Sequence, residues 1–310
     1  MEIALIKTFL PTAIAFVIGM AITPTISHYL YQYRIWKKQS GKGKGYGGGG
    51  TPLFNELHKE RDTNTPRMGG VVIWASVFLT VMLMFLLALI FPQTVLGELN
   101  FLSRSQTWLP LLALAIGAGV GLLDDYLTVR DTGRHFAGGL PLSQRIIVVA
   151  FFALFSAWWF YEKLEVASVN LIWFGPIELG LWFIPFFVFV AVCVYMSSVI
   201  DGIDGLAGGV FMFIFAAYAG IALYQNQVDI AAFCGTVVGG ILAFLWFNVP
   251  PARFYMTETG VMALTMTLTI VAFMTDTLGD GVGVSVLPVV GMLLVATVIA
   301  NVVQILSKKL

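Results

Sequence analysis

Nine long apolar runs, separated by short polar segments, make up most of this chain. They cover residues 9–31, 70–91, 108–123, 144–161, 183–200, 209–224, 229–247, 260–275 and 284–306. A helix needs about 20 mostly apolar residues to cross a bilayer, and runs of this length are too long for the strands of a membrane barrel. The pattern predicts an all-α polytopic membrane protein with about nine transmembrane helices, in which residues 1–310 form a single domain.

Two segments between the runs have a different character. Residues 168–182 alternate between apolar and polar around Gly175-Pro176, which predicts a short β-hairpin. Residues 39–52 are rich in glycine, which predicts a flexible linker. Inside the runs, glycines spaced by four residues predict close helix packing. These pairs are Gly117 with Gly121, and Gly235 with Gly239.

The composition supports a membrane protein and excludes several other classes. Hydrophobic residues make up 58% of the chain and charged residues 11%, whereas soluble domains carry about 25% charged residues. A formal net charge of zero argues against a nucleic-acid partner, since such proteins carry a basic surplus. Cys193 and Cys234 lie inside apolar runs and give no indication of a disulfide or a metal site.

The basic residues are concentrated on one side of the predicted membrane. All Lys and Arg except Lys7, Arg104 and Lys163 lie in or beside alternate connecting segments. The positive-inside rule assigns those segments to the cytosol and the N-terminus to the outside. The chain is therefore predicted to be a multi-pass protein of the cell membrane.

Five acidic residues lie at the ends of apolar runs, and all fall on the predicted cytosolic side. They are Asp124, Asp125, Asp201, Asp204 and Glu258. The simplest interpretation is that they cap helices at the interface, where exposed carboxylates add little to folding. Five such charges on one face would repel each other, and a divalent ion would relieve that repulsion. Oxygen ligands without His or Cys suit Mg²⁺ or Mn²⁺, which indicates phosphate chemistry at the membrane surface.

Two further residues have a functional and a structural interpretation. Arg67 lies in Thr65-Pro-Arg-Met-Gly-Gly70, and could clamp a phosphate or act as a basic anchor. Asn248 precedes Pro250 and Pro251, and could bind a polar ligand edge or cap its helix. The residues alone leave both alternatives open.

Four of these stretches together resemble a known family. They are Thr65-Pro-Arg-Met-Gly-Gly70, Gly121-Leu-Leu-Asp124-Asp125-Tyr-Leu, Ile200-Asp201-Gly-Ile-Asp204-Gly-Leu-Ala-Gly and Phe244-Leu-Trp-Phe-Asn248-Val-Pro-Pro-Ala. In this order they resemble the polyprenyl-phosphate N-acetylhexosamine-1-phosphate transferases, and most closely the phospho-N-acetylmuramoyl-pentapeptide transferases. The resemblance implies transfer of a phospho-sugar from UDP-MurNAc-pentapeptide to undecaprenyl phosphate, giving lipid I and UMP. It thus implies a UDP-sugar nucleotide, a membrane lipid and Mg²⁺ as partners, with a homodimer as a further expectation.

The resemblance also implies roles for individual residues. The four aspartates Asp124, Asp125, Asp201 and Asp204 match the family's catalytic motifs. Glu258 matches its Mg²⁺ ligand, with Asp201 as a second candidate ligand. The expected substrate-binding residues are Thr65, Arg67, Gly202, Ile203, Asn248 and Tyr255.

Three departures from the family pattern bear on the site. Glu258 stands where Asp is usual, Ser198 where Asn is usual, and Thr128 where Lys is usual. A longer metal-binding arm still supplies oxygen ligands. In place of the lysine, the phosphate grip is expected from Arg67, Arg130 or Arg134.

Other interpretations predict different partners or a different chain length. A sibling enzyme that transfers GlcNAc-1-phosphate for teichoic acid or O-antigen fits the same motifs. An ion-coupled transporter would place its carboxylates near the midplane, and a non-catalytic remnant would keep the fold alone. The family continues beyond the ninth run with a histidine-containing loop and a tenth span, so the chain is expected to be truncated at its C-terminus.

Overall fold

The computed structural model describes residues 2–36, 64–130, 139–277 and 281–307. The glycine-rich segment 39–52 and Arg134 lie outside this part of the chain. The α-helices of the described part, numbered in chain order, are α1 Glu2–Gln32, α2 Val71–Ile90, α3 Val95–Glu98, α4 Trp108–Val129, α5 Leu142–Lys163, α6 Phe183–Met196, α7 Leu206–Tyr224, α8 Val228–Asn248, α9 Thr257–Thr277, α10 Gly283–Val290 and α11 Met292–Ser307.

The prediction of a polytopic helical membrane protein is confirmed. Eight helices of the described residues are long and apolar enough to cross a membrane, counting α6 together with the 3-10 helices Gly180–Trp182 and Ser197–Ile200 that flank it. The ninth predicted run is not one straight helix, because α10 and α11 meet at an angle of 69°. Pro288, which lacks an N–H, and Gly291 lie at this break, and both residues are common causes of sharp kinks.

The predicted hairpin is also confirmed, at the end of the bundle away from the acidic motifs. Strands β1 (Ser168–Leu171) and β2 (Gly175–Glu178) pair antiparallel. The buried side chain of Asp276 ties this end together, since it accepts hydrogen bonds from the backbone N–H of Asn170 and of Val284, both at 3.1 Å. Asp276 thereby joins α9, the hairpin and α10, a role that its sequence context did not indicate.

Helix α9 is the centre of the bundle. In its most apolar window 94% of the residues are buried inside the protein, although the mean hydropathy of that window is only 1.4. Its threonines compensate for their burial, since Thr265, Thr267 and Thr275 each donate a hydrogen bond to the carbonyl oxygen four residues earlier. The helix is therefore shielded from lipid by its neighbours, which explains why it tolerates so many hydroxyl groups.

The two glycine pairs lie at close helix contacts, as predicted. A Cβ at Gly235 or Gly239 of α8 would clash with α1 at Thr12. A Cβ at Gly117 would lie 2.7 Å from the Ala263 Cα of α9, and one at Gly121 would clash with the Glu258 carbonyl oxygen. Small residues let helix backbones approach in this way, and α4 is thus held against the first turns of α9.

This contact gives a prediction that compares two glycines of one helix. Gly121→Val is expected to push α4 away from α9, lowering both the thermal stability in detergent and the catalytic activity. Gly119→Val is the matched control, because a Cβ at Gly119 meets nothing within 4 Å. Thermal unfolding and turnover of both variants test this. Equal behaviour of the two would contradict the role of the glycine contact.

Candidate active site

The five acidic residues of the motifs gather at one end of the bundle. Asp124 and Asp125 lie in the last turns of α4, Asp201 and Asp204 lie between α6 and α7, and Glu258 lies in the first turn of α9. The alternation of helix directions carries all these segments to the same end. Hydrogen bonds between these segments join them into one cluster.

Asp125 is buried and every part of its carboxylate is engaged. The Arg67 guanidinium donates to Oδ1 through Nε at 3.2 Å and Nη2 at 3.0 Å. Oδ2 accepts from the Thr257 hydroxyl, the Thr259 hydroxyl at 2.6 Å and the Thr259 backbone N–H at 2.9 Å. The charge of Asp125 therefore neutralises Arg67 and stabilises the N-terminal end of α9.

Asp124 is equally buried but keeps one oxygen open. Its Oδ1 accepts a hydrogen bond from the Leu140 backbone N–H at 2.6 Å. Its Oδ2 lies 3.1 Å from Arg145 Nη2, but the N–H groups of that guanidinium are not aligned for a hydrogen bond, and no described residue donates one to Oδ2. Buried carboxylate oxygens normally have a donor, so Asp124 Oδ2 has free capacity to bind a proton, a cation or a ligand.

Glu258 shares the same arginine. Arg145 Nη1 donates a hydrogen bond to Glu258 Oε1, and the Tyr195 hydroxyl donates to Oε2 at 3.3 Å. The side chains of Glu258 and Arg145 are 16% and 18% exposed, so solvent or a ligand can reach this part of the cluster. Arg145 thereby bridges the first aspartate pair and the start of α9.

The second aspartate motif is attached to the same helix end. Asp201 accepts a hydrogen bond from the Thr257 backbone N–H at 2.8 Å, and Asp204 accepts one from the Ala252 backbone N–H at 3.2 Å. Asn248 lies between these loops, where its Oδ1 accepts from Gly205 N–H and its Nδ2 donates to the Phe254 carbonyl, both at 2.9 Å. Asn248 thus braces two loops, an arrangement that neither of its two predicted roles described.

The segment that carries Arg67 is held by backbone contacts. Pro66 O accepts from Tyr255 N–H, and Gly69 N–H donates to Tyr255 O at 2.8 Å. A Cβ at Gly70 would clash with Gly260, so this close approach requires glycine there. Thr65 is half-buried at the beginning of the segment.

Two predicted binding residues face open space beside the cluster. Ile203 is 64% exposed, and a Cβ at Gly202 would meet only the Val199 carbonyl oxygen, at 3.6 Å. Tyr255 is half-buried in the segment between α8 and α9. These residues leave the loop between α6 and α7 accessible to a ligand.

The prediction that the first aspartate pair is exposed is wrong. Asp124 and Asp125 are 0% exposed, so they are not water-facing caps with little effect on folding. No sequence pattern indicated Arg145, Tyr195, Thr257 or Thr259 as partners of the acidic residues. Arg145 stands at the start of the fourth apolar run, where it is indistinguishable from an interfacial anchor, although its position near the acidic motifs was a usable signal.

The structure separates Arg67 from Arg130, two of the three arginines proposed to grip a phosphate; Arg134 lies outside the described residues. Arg67 is paired with Asp125, whereas Arg130 lies over the Tyr126 ring, with its guanidinium carbon 4.9 Å from the ring centroid. Thr128 stands where the family usually has Lys, and its hydroxyl donates a hydrogen bond to the Asp124 backbone oxygen. Among the described residues no three His, Cys, Asp or Glu side chains surround a common point. The cation between Asp124 and Glu258 is Arg145.

Comparisons with known proteins match the region that contains all five acids. The profile of the family described as "Glycosyl transferase family 4" matches residues 107–276. A protein of Listeria monocytogenes serovar 1/2a is 32% identical over 265 residues, covering 84% of this chain and 72% of its own. A protein of Thermoanaerobacter sp. is 30% identical over 309 residues, covering 98% and 85%. Both are named phospho-N-acetylmuramoyl-pentapeptide-transferase.

Proposed function

The chain belongs to glycosyl transferase family 4, and on that premise we propose that it transfers phospho-MurNAc-pentapeptide from UDP-MurNAc-pentapeptide to undecaprenyl phosphate. The products are lipid I and UMP. The observation that carries the proposal is the buried Asp124 Oδ2, which has no hydrogen-bond donor among the described residues and lies beside Arg145 and Glu258. A transferase joining two anions needs such a combination of a proton acceptor and nearby positive charge.

The reaction is an in-line displacement at phosphorus. A phosphate oxygen of the lipid forms a new P–O bond to the β-phosphorus of the nucleotide. The bond from that phosphorus to the bridging oxygen breaks, and UMP leaves with the electron pair. Asp124 Oδ2 accepts the proton of the lipid phosphate, or orients that phosphate when it is already ionised. Asp125 has no free oxygen for this task, so its role is to hold Arg67 and the start of α9 in place.

Asp124 and Glu258, with Asp201 as a further candidate, would hold a divalent metal ion. Carboxylate oxygens are the ligands that Mg²⁺ prefers, and Mn²⁺ accepts the same set. Because no three such side chains of the described residues surround one point, substrate phosphates would complete the coordination. When bound, Mg²⁺ offsets the repulsion between the two anionic substrates and the charge that develops on UMP. Tyr195 orients the Glu258 carboxylate through its hydroxyl.

The open loop next to the cluster is the proposed nucleotide site. Gly202 and Ile203 offer an accessible surface for the uridine, and Tyr255 is the third residue proposed to contact it. Asn248 accepts a hydrogen bond from the Gly205 N–H and thereby holds the shape of this loop. Its effect on nucleotide binding is therefore indirect. Arg67, with Thr65 two residues before it, contacts the cluster through Asp125.

The decisive experiment is transfer of radiolabel to undecaprenyl phosphate in detergent, by residues 1–310 and by a version extended with a family-type C-terminus. We expect Mg²⁺-dependent labelling from UDP-MurNAc-pentapeptide, abolished by EDTA and restored by Mg²⁺ or Mn²⁺. Labelling from UDP-GlcNAc instead would identify the sibling activity, and absence of transfer from both would overturn the proposal.

We further propose that the acidic end of the bundle faces the cytosol and that the N-terminus lies outside. In a variant lacking Cys193 and Cys234, a cysteine at Tyr33 is expected to react with a membrane-impermeant thiol reagent only from the cytosolic side. A cysteine at Trp173 is expected to react only from the outside. Tyr33 and Trp173 are 68% and 85% exposed, so both are accessible. Labelling of the two from the same side would contradict the topology.

A further inference from the structure

Arg145 occupies the space between the two carboxylates proposed to hold the metal ion. Its Nη1 donates to Glu258 Oε1 and its Nη2 lies 3.1 Å from Asp124 Oδ2. Its Nε donates to the Leu140 carbonyl oxygen at 2.9 Å. All three nitrogens of the guanidinium are therefore engaged at one point of the cluster.

The other charges of the cluster are already balanced in a different way. Arg67 neutralises Asp125 through two hydrogen bonds to one oxygen. Asp201 accepts the Thr257 N–H at the start of α9, where a helix favours negative charge. Asp124 and Glu258 both contact the Arg145 guanidinium. Without its positive charge between them, the two carboxylates would repel each other.

We propose that Arg145 is a displaceable internal counter-ion of this site. In the free protein it holds Asp124 and Glu258 together and competes with a divalent cation for their oxygens. Its guanidinium leaves these oxygens when the cation binds, and then binds the diphosphate of the nucleotide. The inference rests on the proposed function, since it takes the metal ion and the nucleotide substrate from it.

The geometry suits such an exchange. The guanidinium donates an aligned hydrogen bond to Glu258, whereas its 3.1 Å contact with Asp124 Oδ2 is an ion pair without one, so the Asp124 contact is the weaker of the two. Because the guanidinium is planar, it leaves both carboxylates as one unit when the Nε hydrogen bond to Leu140 O breaks. The side chain is 18% exposed, so its edge reaches the open side of the cluster, and an arginine fork matches phosphate oxygens.

This exchange makes metal and nucleotide binding cooperative. The cation frees Arg145 for the phosphates, and the phosphates draw Arg145 away from the carboxylates. By linkage, each ligand raises the affinity for the other by the same factor. Arg145 would then supply the phosphate contact that the sequence pattern predicts for Arg67, Arg130 or Arg134.

The test measures Mn²⁺ binding by electron paramagnetic resonance to the full 310-residue chain in detergent, with and without UDP. In the wild type, UDP is expected to raise the Mn²⁺ affinity. Arg145→Gln is expected to raise the Mn²⁺ affinity without UDP about tenfold and to remove most of the UDP effect. Arg104→Gln is the matched control, because Arg104 is exposed in the segment before α4, at the opposite end of that helix from Asp124, and it should behave as the wild type.

Two additional variants keep the result interpretable. Arg145→Lys retains the charge but lacks the planar fork of donors, so it holds the two carboxylates less well. Its Mn²⁺ affinity without UDP should therefore still exceed that of the wild type, and it decides the matter if Arg145→Gln fails to fold. Adding Glu258→Gln to Arg145→Gln should abolish the gain. Unchanged or weaker Mn²⁺ binding in folded Arg145 variants overturns this inference alone.

The outcome can be separated from that of the proposed function. If neither the wild type nor any variant binds Mn²⁺, this inference and the metal part of the proposed function are both wrong. If Mn²⁺ and UDP bind as expected but no phospho-sugar reaches undecaprenyl phosphate, the counter-ion role stands and the proposed substrates are wrong.

Discussion

Asp124→Asn is expected to lower the turnover of phospho-sugar transfer by at least about 10²-fold, as loss of one acid–base or electrostatic group does. The substitution preserves the shape of the side chain and keeps an oxygen for the Leu140 N–H. It removes the negative charge next to Arg145 and the basicity of the open Oδ2. The measurement is the initial rate of lipid-linked product formation at saturating Mg²⁺.

The control for Asp124→Asn is the same substitution at the opposite end of the bundle. Asp229 forms an ion pair with Lys7 at 2.6 Å, and both residues lie far along their helices from the acidic cluster. Asp229→Asn should retain at least half of the wild-type turnover. A rate for Asp124→Asn above about a tenth of the wild type would remove Asp124 from the chemistry of the site.

Asp125→Asn is expected to act on folding as well as on activity. The wild-type carboxylate receives two hydrogen bonds from Arg67 and three from Thr257 and Thr259. An asparagine would turn an N–H₂ group towards some of these donors and leave Arg67 without its counter-charge. Breaking a buried ion pair on one side costs about 3–5 kcal/mol, and Arg67 is partly exposed, so the lower end of that range is expected.

The measurement is the midpoint of thermal unfolding in detergent, which should fall by several degrees. Asp204→Asn is the matched control, because the Asp204 carboxylate is half-buried and, in contrast to Asp125, accepts a hydrogen bond from the Ala252 N–H rather than an arginine ion pair. That variant should unfold within about two degrees of the wild type. If both variants unfolded at the wild-type temperature, the carboxylate of Asp125 would not stabilise the start of α9.

The two aspartates illustrate how far sequence reasoning reached into the site. Adjacent positions in Gly121-Leu-Leu-Asp124-Asp125 look equivalent, and both were expected to be exposed. In the fold they point to different partners, since Asp125 meets the N-terminus of α9 and Asp124 meets Arg145 and Leu140. Asp125 has no free oxygen because it also contacts Thr257 and Thr259, more than 130 positions later in the chain. No local sequence pattern indicates such contacts.

The sequence by itself determined the features that depend on local composition and spacing. Apolar runs of spanning length predict the helices because backbone groups in lipid must bond within their own segment. The alternation around Gly175-Pro176 predicts the hairpin, and glycines four residues apart predict close helix packing in α4 and α8, although not which helices pack there. Because successive spans reverse direction, their number also places the five acids at one end.

Only the tertiary structure decided what surrounds each charge, and the physical reason is burial. A helix-end carboxylate is inexpensive in water but needs donors or a counter-charge inside a protein, and those come from other helices. Arg145 reaches Glu258 from a position 113 residues earlier in the chain, so its pairing could not be inferred from its place at the start of a span. The central position of α9 was hidden for the same reason, since its polar threonines are satisfied by its own backbone and shielded by neighbouring helices.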